Sequence, residues 1–247
     1  MTRTDLHPLR VAVTGGTSGL GAALVAELLG RHAHVAFVAR HRDAVDATLQ
    51  RVARRSSPVR AHGIVGDVAR KEDIHPIALQ IVAALGGLDV LVNNASSLGP
   101  VPLALLADTE CEELELALAT NLVGPFRLTK ALLGPLAASA RDGGHPLVVN
   151  ISSDAAVTPY PTWGAYGASK AALLHLTRIW DAELAADGVR LVSVDPGDMD
   201  TPLHALAVPD ADPATLKRPA VAAREIADLI ASTVVTPRLA YRSEVLL

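Results

Sequence analysis

LRVAVTGGTSGLG, residues 9 to 21, begins as a strand and ends as a helix, with glycines crowded into the turn between them. LRVAVT is apolar on consecutive positions rather than alternate ones, the pattern of a strand covered on both faces. Gly15, Gly19 and Gly21 follow with the spacing G-x-x-x-G-x-G. Lacking Cβ atoms, they let the turn tighten and let a pyrophosphate approach backbone N–H groups at a helix N-terminus. Tight turns use glycine anyway. It is the position, directly after a strand and opening a helix, that raises this turn above an ordinary one.

Outward from this unit the same alternation recurs. AHVAFVA (33–39), VRAHGIVGDV (59–68), LDVLVNN (88–94), PLVVNIS (146–152) and VRLVSVD (189–195) read as strands. Helical patterns fall near 19–31, 41–56, 71–86, 109–140 and 162–187, with a further helix expected at about 222–235. Strand and helix alternating throughout imply an α/β fold, a Rossmann-like doubly wound parallel sheet with helices on both faces. No linker or repeat divides the chain, so a single domain over 1–247 is expected. The segment 197–219, with four prolines and four aspartates, breaks the alternation. It reads as a flap over a site or as a surface excursion.

Composition narrows the function. Half of the residues are apolar and 3% aromatic, so the core is built from Ala, Val, Leu and Ile. A net charge of −4 gives no electrostatic footprint for nucleic acid or an acidic membrane. The one basic cluster, RVARRSS at 51–57, reads as a solvated helix end. The single Cys111 has no intrachain disulfide partner and lies among acidic residues, which disfavour a thiolate. No signal-peptide core or membrane-spanning run is seen. A soluble cytoplasmic protein is expected, without a metal.

YGASK (166–170) sets Tyr166 one helical turn before Lys170. Residues at i and i+4 share a helix face, and a neighbouring ammonium favours the phenolate, so the phenol's pKa is expected to fall. At the end of the second strand stands Ala39, followed by Arg40, where a carboxylate for ribose hydroxyls would favour NAD. A guanidinium there suits a 2′-phosphate. NADP(H) is therefore preferred, with NAD(H) possible.

Seven motifs in order, TGGTSGLG, GDV (66–68), NNAS (93–96), ATN (119–121), ISS (151–153), YGASK and PGDMDT (196–201), resemble the short-chain dehydrogenase/reductase family in its single-domain form. The resemblance runs from about residue 9 to 235. It implies that Tyr166 is the general acid/base of carbonyl–alcohol interconversion. It implies also that Lys170 binds the nicotinamide ribose and tunes the phenol. Ser153, thirteen residues before Tyr166, matches the serine that hydrogen-bonds the reacting oxygen, and Asn121 the asparagine that supports a water relay. For the cofactor, it implies Gly15, Thr17, Ser18, Gly19, Leu20 and Gly21 at the phosphates. Asp67 and Val68 match the pair near the adenine, Asn93 matches the asparagine that stabilises the sheet beside the cofactor, Ala95 stands next to it, and Pro196, Gly197 and Thr201 surround the nicotinamide amide.

Two positions depart from the family's pattern. Ser96 stands where glycine is common, and the ending RLAYRSEVLL lacks a glycine-rich tail after a seventh strand. Tyr160 and Trp163 are expected either at the mouth of a mainly apolar substrate pocket or against a neighbouring helix or subunit. The substrate is a small molecule, apolar or planar. Ser97 and His204 read as ordinary loop residues. The long apolar helices 109–140 and 162–187 imply a homo-oligomer, tetramer or dimer. Two other functions use the same residues: a cofactor-binding sensor or scaffold without turnover, and a dehydratase or epimerase.

Overall fold

The computed structural model describes residues 4–53 and 61–235. The expected start of the third strand at 59–60, the end of the basic cluster at 54–57 and the C-terminal ending lie outside the described residues. Six strands, β1 (Arg10–Thr14), β2 (His34–Ala39), β3 (Ala61–Val65), β4 (Val90–Asn93), β5 (Leu147–Ile151) and β6 (Arg190–Val194), form one sheet in the order β3-β2-β1-β4-β5-β6. Every pairing is parallel.

The consecutive apolar runs explain why the sheet is covered twice. Side chains alternate between faces, so a run such as Val11-Ala12-Val13 supplies both. Val11 and Val13 join one core with α1 (Gly19–Gly30) and α8 (Pro219–Ile230). Ala12 joins the other, with Ile77 and Ile81 of α3 (Lys71–Leu85) and Leu128, Leu132 and Leu136 of α5 (Gly124–Arg141). Helix α2 (Arg42–Ala53) sends Val45 and Leu49 to the α1 side. Gly63 on β3 leaves room for it, since a Cβ there would stand 2.3 Å from Val45 Cγ1.

Three elements differ from the sequence reading. The helix expected over 109–140 is α4 (Cys111–Leu118), a π-helical turn at Ala119–Val123, and α5. Pro125 has no N–H for the carbonyl of Asn121 four residues back, which favours a register change at that point. The last helix begins at Pro219 rather than 222, because proline suits a first helical position. Between them, 197–219 contains a short helix, α7 (Pro202–Ala207), capped by Thr201, whose hydroxyl accepts from the His204 N–H at 3.2 Å. Helix α6 (Gly164–Leu184) is followed by a 3-10 turn at 185–187. Among the described residues no helix is long and apolar enough to cross a membrane.

Candidate active site

β1 pairs with β2 on one side and β4 on the other, so the connections leave in opposite directions and a crevice opens at the strand ends. A cavity of about 850 Å³ lies there. Thr14, the last residue of β1, holds its floor together. Its hydroxyl accepts the Asn94 and Ala95 N–H groups at 2.9 and 3.0 Å, and its carbonyl accepts Asn94 Nδ2 at 2.8 Å. This clasp was not read from the sequence, although NNAS was.

The glycine turn closes directly above it. Gly15 has φ +68°, and its N–H donates to the Val38 carbonyl at 2.8 Å. A Cβ on Gly21 would sit 2.1 Å from the Gly15 carbonyl oxygen, so the helix can start this close only with glycine at that position. The first turn of α1 carries no acidic residue, and Ser18 makes no side-chain cap. Its amides are left for an anion. Thr17, Ser18, Gly19 and Leu20 line the cavity here, with Arg40, Asp67 and Val68 farther along its wall. Arg40 is exposed. Uncapped amides at the start of α1, with a guanidinium farther along the same wall, fit a dinucleotide's phosphates.

Ser153, Tyr166 and Lys170 line the same cavity, together with Ala95, Pro196, Gly197 and Thr201. Two expected residues do not. Asn93 lies within the sheet, its Nδ2 donating to Asn150 Oδ1 at 2.8 Å and Thr129 Oγ1 at 3.2 Å. It is Asn94 that reaches the cavity wall. Asn121 is fully buried behind the wall on the π turn, donating from Nδ2 to the Ser97 carbonyl and Ser169 Oγ at 2.7 and 2.8 Å.

The electrostatics correct one expectation. Lys170 is 2% exposed, and its Nζ donates to the Ile151 carbonyl at 2.8 Å, 5.4 Å from the centre of the Tyr166 ring. The amine thus lies on the side of the Tyr166 ring, held by the backbone of β5. Burial dominates for both groups and favours each neutral form. It pushes Tyr166 up to about 12, against hydrogen bonds from Ser153 and Ser96 that pull it down, with Asp195 and Asp154 adding to the rise. It brings Lys170 down to about 8.

Ser153 is fixed by its own turn. Its Oγ accepts the Ala155 N–H at 3.2 Å and donates to Asp154 Oδ1 at 2.9 Å. Asp154 also accepts the Tyr160 hydroxyl at 2.7 Å. Neither Asp154 nor Asp195 stood out in the sequence, although Asp154 directly follows Ser153. Tyr160 and Trp163 both line the cavity, and Trp163 meets Tyr166 edge-on with ring centres 5.7 Å apart. Leu203 and Ala207 of α7 pack, as Trp163 does, against the cluster of Leu98, Ala155 and Tyr166. The first half of segment 197–219, from Gly197 to Val208, therefore lines the cavity.

Comparison with known proteins agrees with this geometry. The sequence matches the short chain dehydrogenase family over residues 10–212. It is 33% identical over 198 residues to a 2-(R)-hydroxypropyl-CoM dehydrogenase of Xanthobacter autotrophicus, covering 78% of this chain and 76% of that one. It is 31% identical over 202 residues to a 2,5-dichloro-2,5-cyclohexadiene-1,4-diol dehydrogenase of Sphingobium indicum, covering 81% and 76%. An alcohol dehydrogenase from the archaeon Thermococcus sibiricus, complexed with 5-hydroxy-NADP, superposes with a TM-score of 0.79 at 26% identity, covering 90% of each chain.

The buried lysine makes stability depend on pH. The unfolded chain keeps this proton up to 10.5, whereas the folded chain loses it at about 8. Between those values the unfolded state binds more protons, so stability should rise with pH, by about 3 kcal/mol over the whole window. Above 10.0 the rise should be offset, because the unfolded phenol ionises there and the buried Tyr166 only at about 12. Urea unfolding from pH 8 to 10, without cofactor, should show the rise in the wild type and lose it in Lys170→Met.

Proposed function

Because the chain belongs to the short-chain dehydrogenase family, we propose that this oxidoreductase interconverts a small secondary alcohol and its carbonyl compound, with NADP(H) preferred and Tyr166 as general acid/base. One observation carries the reading: Ser153, Tyr166 and Lys170 share a single cavity with the glycine turn and Arg40. The names of the two relatives, a hydroxypropyl compound and a diol, support an alcohol function in the substrate.

When bound, the nicotinamide accepts or supplies the hydride. The protein's part is orientation and proton transfer. In reduction Tyr166 gives its phenolic proton to the carbonyl oxygen, and in oxidation its phenolate takes the hydroxyl proton. Ser153 holds that oxygen beside the phenol. Above its own value of about 8, Lys170 regains its proton as negative charge enters the cleft, and its ammonium favours the phenolate. This reading retains the tuning expected from YGASK, but assigns it to the occupied cleft. Asn121 holds the loop 96–97 against α6. Tyr160 and Trp163 supply flat apolar walls for the substrate, closed by 197–219. Association of copies through α4–α5 and α6 is supported by the exposed Leu116 and Ile179 on these helices.

Reduced-nicotinamide absorbance across secondary alcohols and their ketones, 1-phenylethanol and acetophenone among them, tests the chemistry. Tyr166→Phe should lose ~10²–10⁴-fold in turnover while still binding NADPH, because only the proton donor is removed. A variant retaining half the activity would take Tyr166 out of the mechanism.

Direct titration tests the cofactor preference. NADPH should bind about tenfold or more tighter than NADH, through a charge-assisted contact to the 2′-phosphate, and the margin should shrink with salt. Arg40→Ala should remove most of the preference with little change for NADH. Arg42 stands near enough in sequence to share the contact, so the double variant is the decisive one. Equal wild-type affinities would mean that the protein does not read the phosphate.

A further inference from the structure

Ser153, the hydroxyl assigned to the reacting oxygen, is followed directly by a carboxylate. Asp154 opens the 3-10 turn Asp154–Ala156 after β5. Ser153 Oγ donates to Asp154 Oδ1 at 2.9 Å and accepts the Ala155 N–H at 3.2 Å. The second carboxylate oxygen, Oδ2, accepts the Tyr160 hydroxyl at 2.7 Å. The carboxylate is thus tethered at both oxygens. Ser153, Asp154, Tyr160 and Tyr166 all line the cavity.

A serine hydroxyl has one proton and two lone pairs, and an ionised carboxylate only accepts. The Ser153 proton is therefore directed at Asp154, and one lone pair at Ala155. What Ser153 has left for a bound molecule is its second lone pair. An alcohol fits this arrangement. Its oxygen accepts from the neutral Tyr166 phenol, and its own O–H donates to Ser153. A ketone oxygen has no proton to give. It gains a hydrogen bond from Ser153 only if that proton turns away from Asp154, exchanging a charge-assisted bond for a neutral one. We propose that Asp154 is a positioning residue that orients the Ser153 hydroxyl, so that the resting cleft holds a secondary alcohol more tightly than its ketone. The proposal rests on the reading of Ser153 as the partner of the reacting oxygen.

Two other charged groups at this end of the cavity have hydrogen bonds elsewhere. Asp195, after β6, accepts the Gly197 N–H at 2.9 Å, and the Lys170 amine is held by the Ile151 carbonyl. Asp154 itself is only half-buried, and Tyr160 is exposed. Once the carboxylate is removed, the Tyr160 hydroxyl can turn to water, so the substitution strands no buried donor. What changes is the direction of the Ser153 proton.

The test is calorimetric titration of two dead-end complexes at neutral pH, acetophenone into protein with NADP and 1-phenylethanol into protein with NADPH. Neither pair can transfer hydride, so binding is read apart from chemistry. In Asp154→Ala the freed Ser153 proton should tighten acetophenone about tenfold, while 1-phenylethanol should not tighten. Asp154→Leu fills the carboxylate's space without an acceptor and should do the same, which guards against an effect of the vacated space. A merely structural role would move both ligands in the same direction. With Ser153→Ala already in place, Asp154→Ala should leave the affinity for acetophenone unchanged. Acetophenone bound no tighter in both Asp154→Ala and Asp154→Leu would overturn the proposal. Equal tightening of the two ligands would overturn it as well, as would the same gain for acetophenone in the Ser153→Ala background. A wild type that binds neither compound is a different result, and it would remove the reading of the cavity as a secondary-alcohol site, and this proposal with it.

Discussion

A lysine kept out of water organises the substrate end of this cavity. Taking an ammonium from water costs several kcal/mol unless other groups replace its hydration. Lys170 finds a replacement in the carbonyl of Ile151 at the end of β5. That bond requires β5 to stop where it does and α6 to run directly beside its end. The same helix carries Tyr166, and the loop leaving β5 carries Ser153. The sheet's carboxyl edge thus fixes the lysine, and the lysine's face of α6 fixes the phenol.

Hydrogen bonds behind the wall extend this arrangement to the β4 loop. Ser169, on α6, accepts from Asn121 Nδ2 and donates to the Tyr166 carbonyl at 2.6 Å. Asn121 in turn grips Ser97 on both its carbonyl and its N–H. The π turn that carries Asn121 ends at Gly124, where a Cβ would stand 2.7 Å from the Val68 carbonyl. One irregular turn therefore connects the helix that bears the tyrosine, the loop beside it and the segment after β3. In the proposed mechanism, this keeps the acid/base in register with the dinucleotide cradle.

What could be read from the sequence was what depends on local pattern. Runs such as Val11-Ala12-Val13 imply strands covered on both faces. Gly15, Gly19 and Gly21 mark a turn that must let backbone approach backbone. Tyr166 and Lys170 are visible through their spacing on one helix, and Ser153 through the resemblance of its motif to the family's. What escaped depends on packing between distant segments. The break at Asn121 needs the missing N–H of Pro125 and the close approach of Val68, and helical periodicity hides both. The clasp of Thr14 on Asn94 joins residues 80 apart in the chain. The sign of the tyrosine shift was misjudged because i and i+4 spacing gives proximity but not burial. With both groups desolvated, the environment outweighs the neighbour.

In the proposed mechanism, above about pH 8, an occupied cleft recharges Lys170 and through it readies Tyr166. Calorimetric titration with NADP in buffers of different ionisation heat counts the protons exchanged. About one pH unit above the Lys170 value of about 8, the free protein holds this amine mostly neutral. Binding should then take up close to ~1 proton per site, and Lys170→Met should take up none. Binding without proton uptake, or with the same uptake in Lys170→Met, would contradict the account.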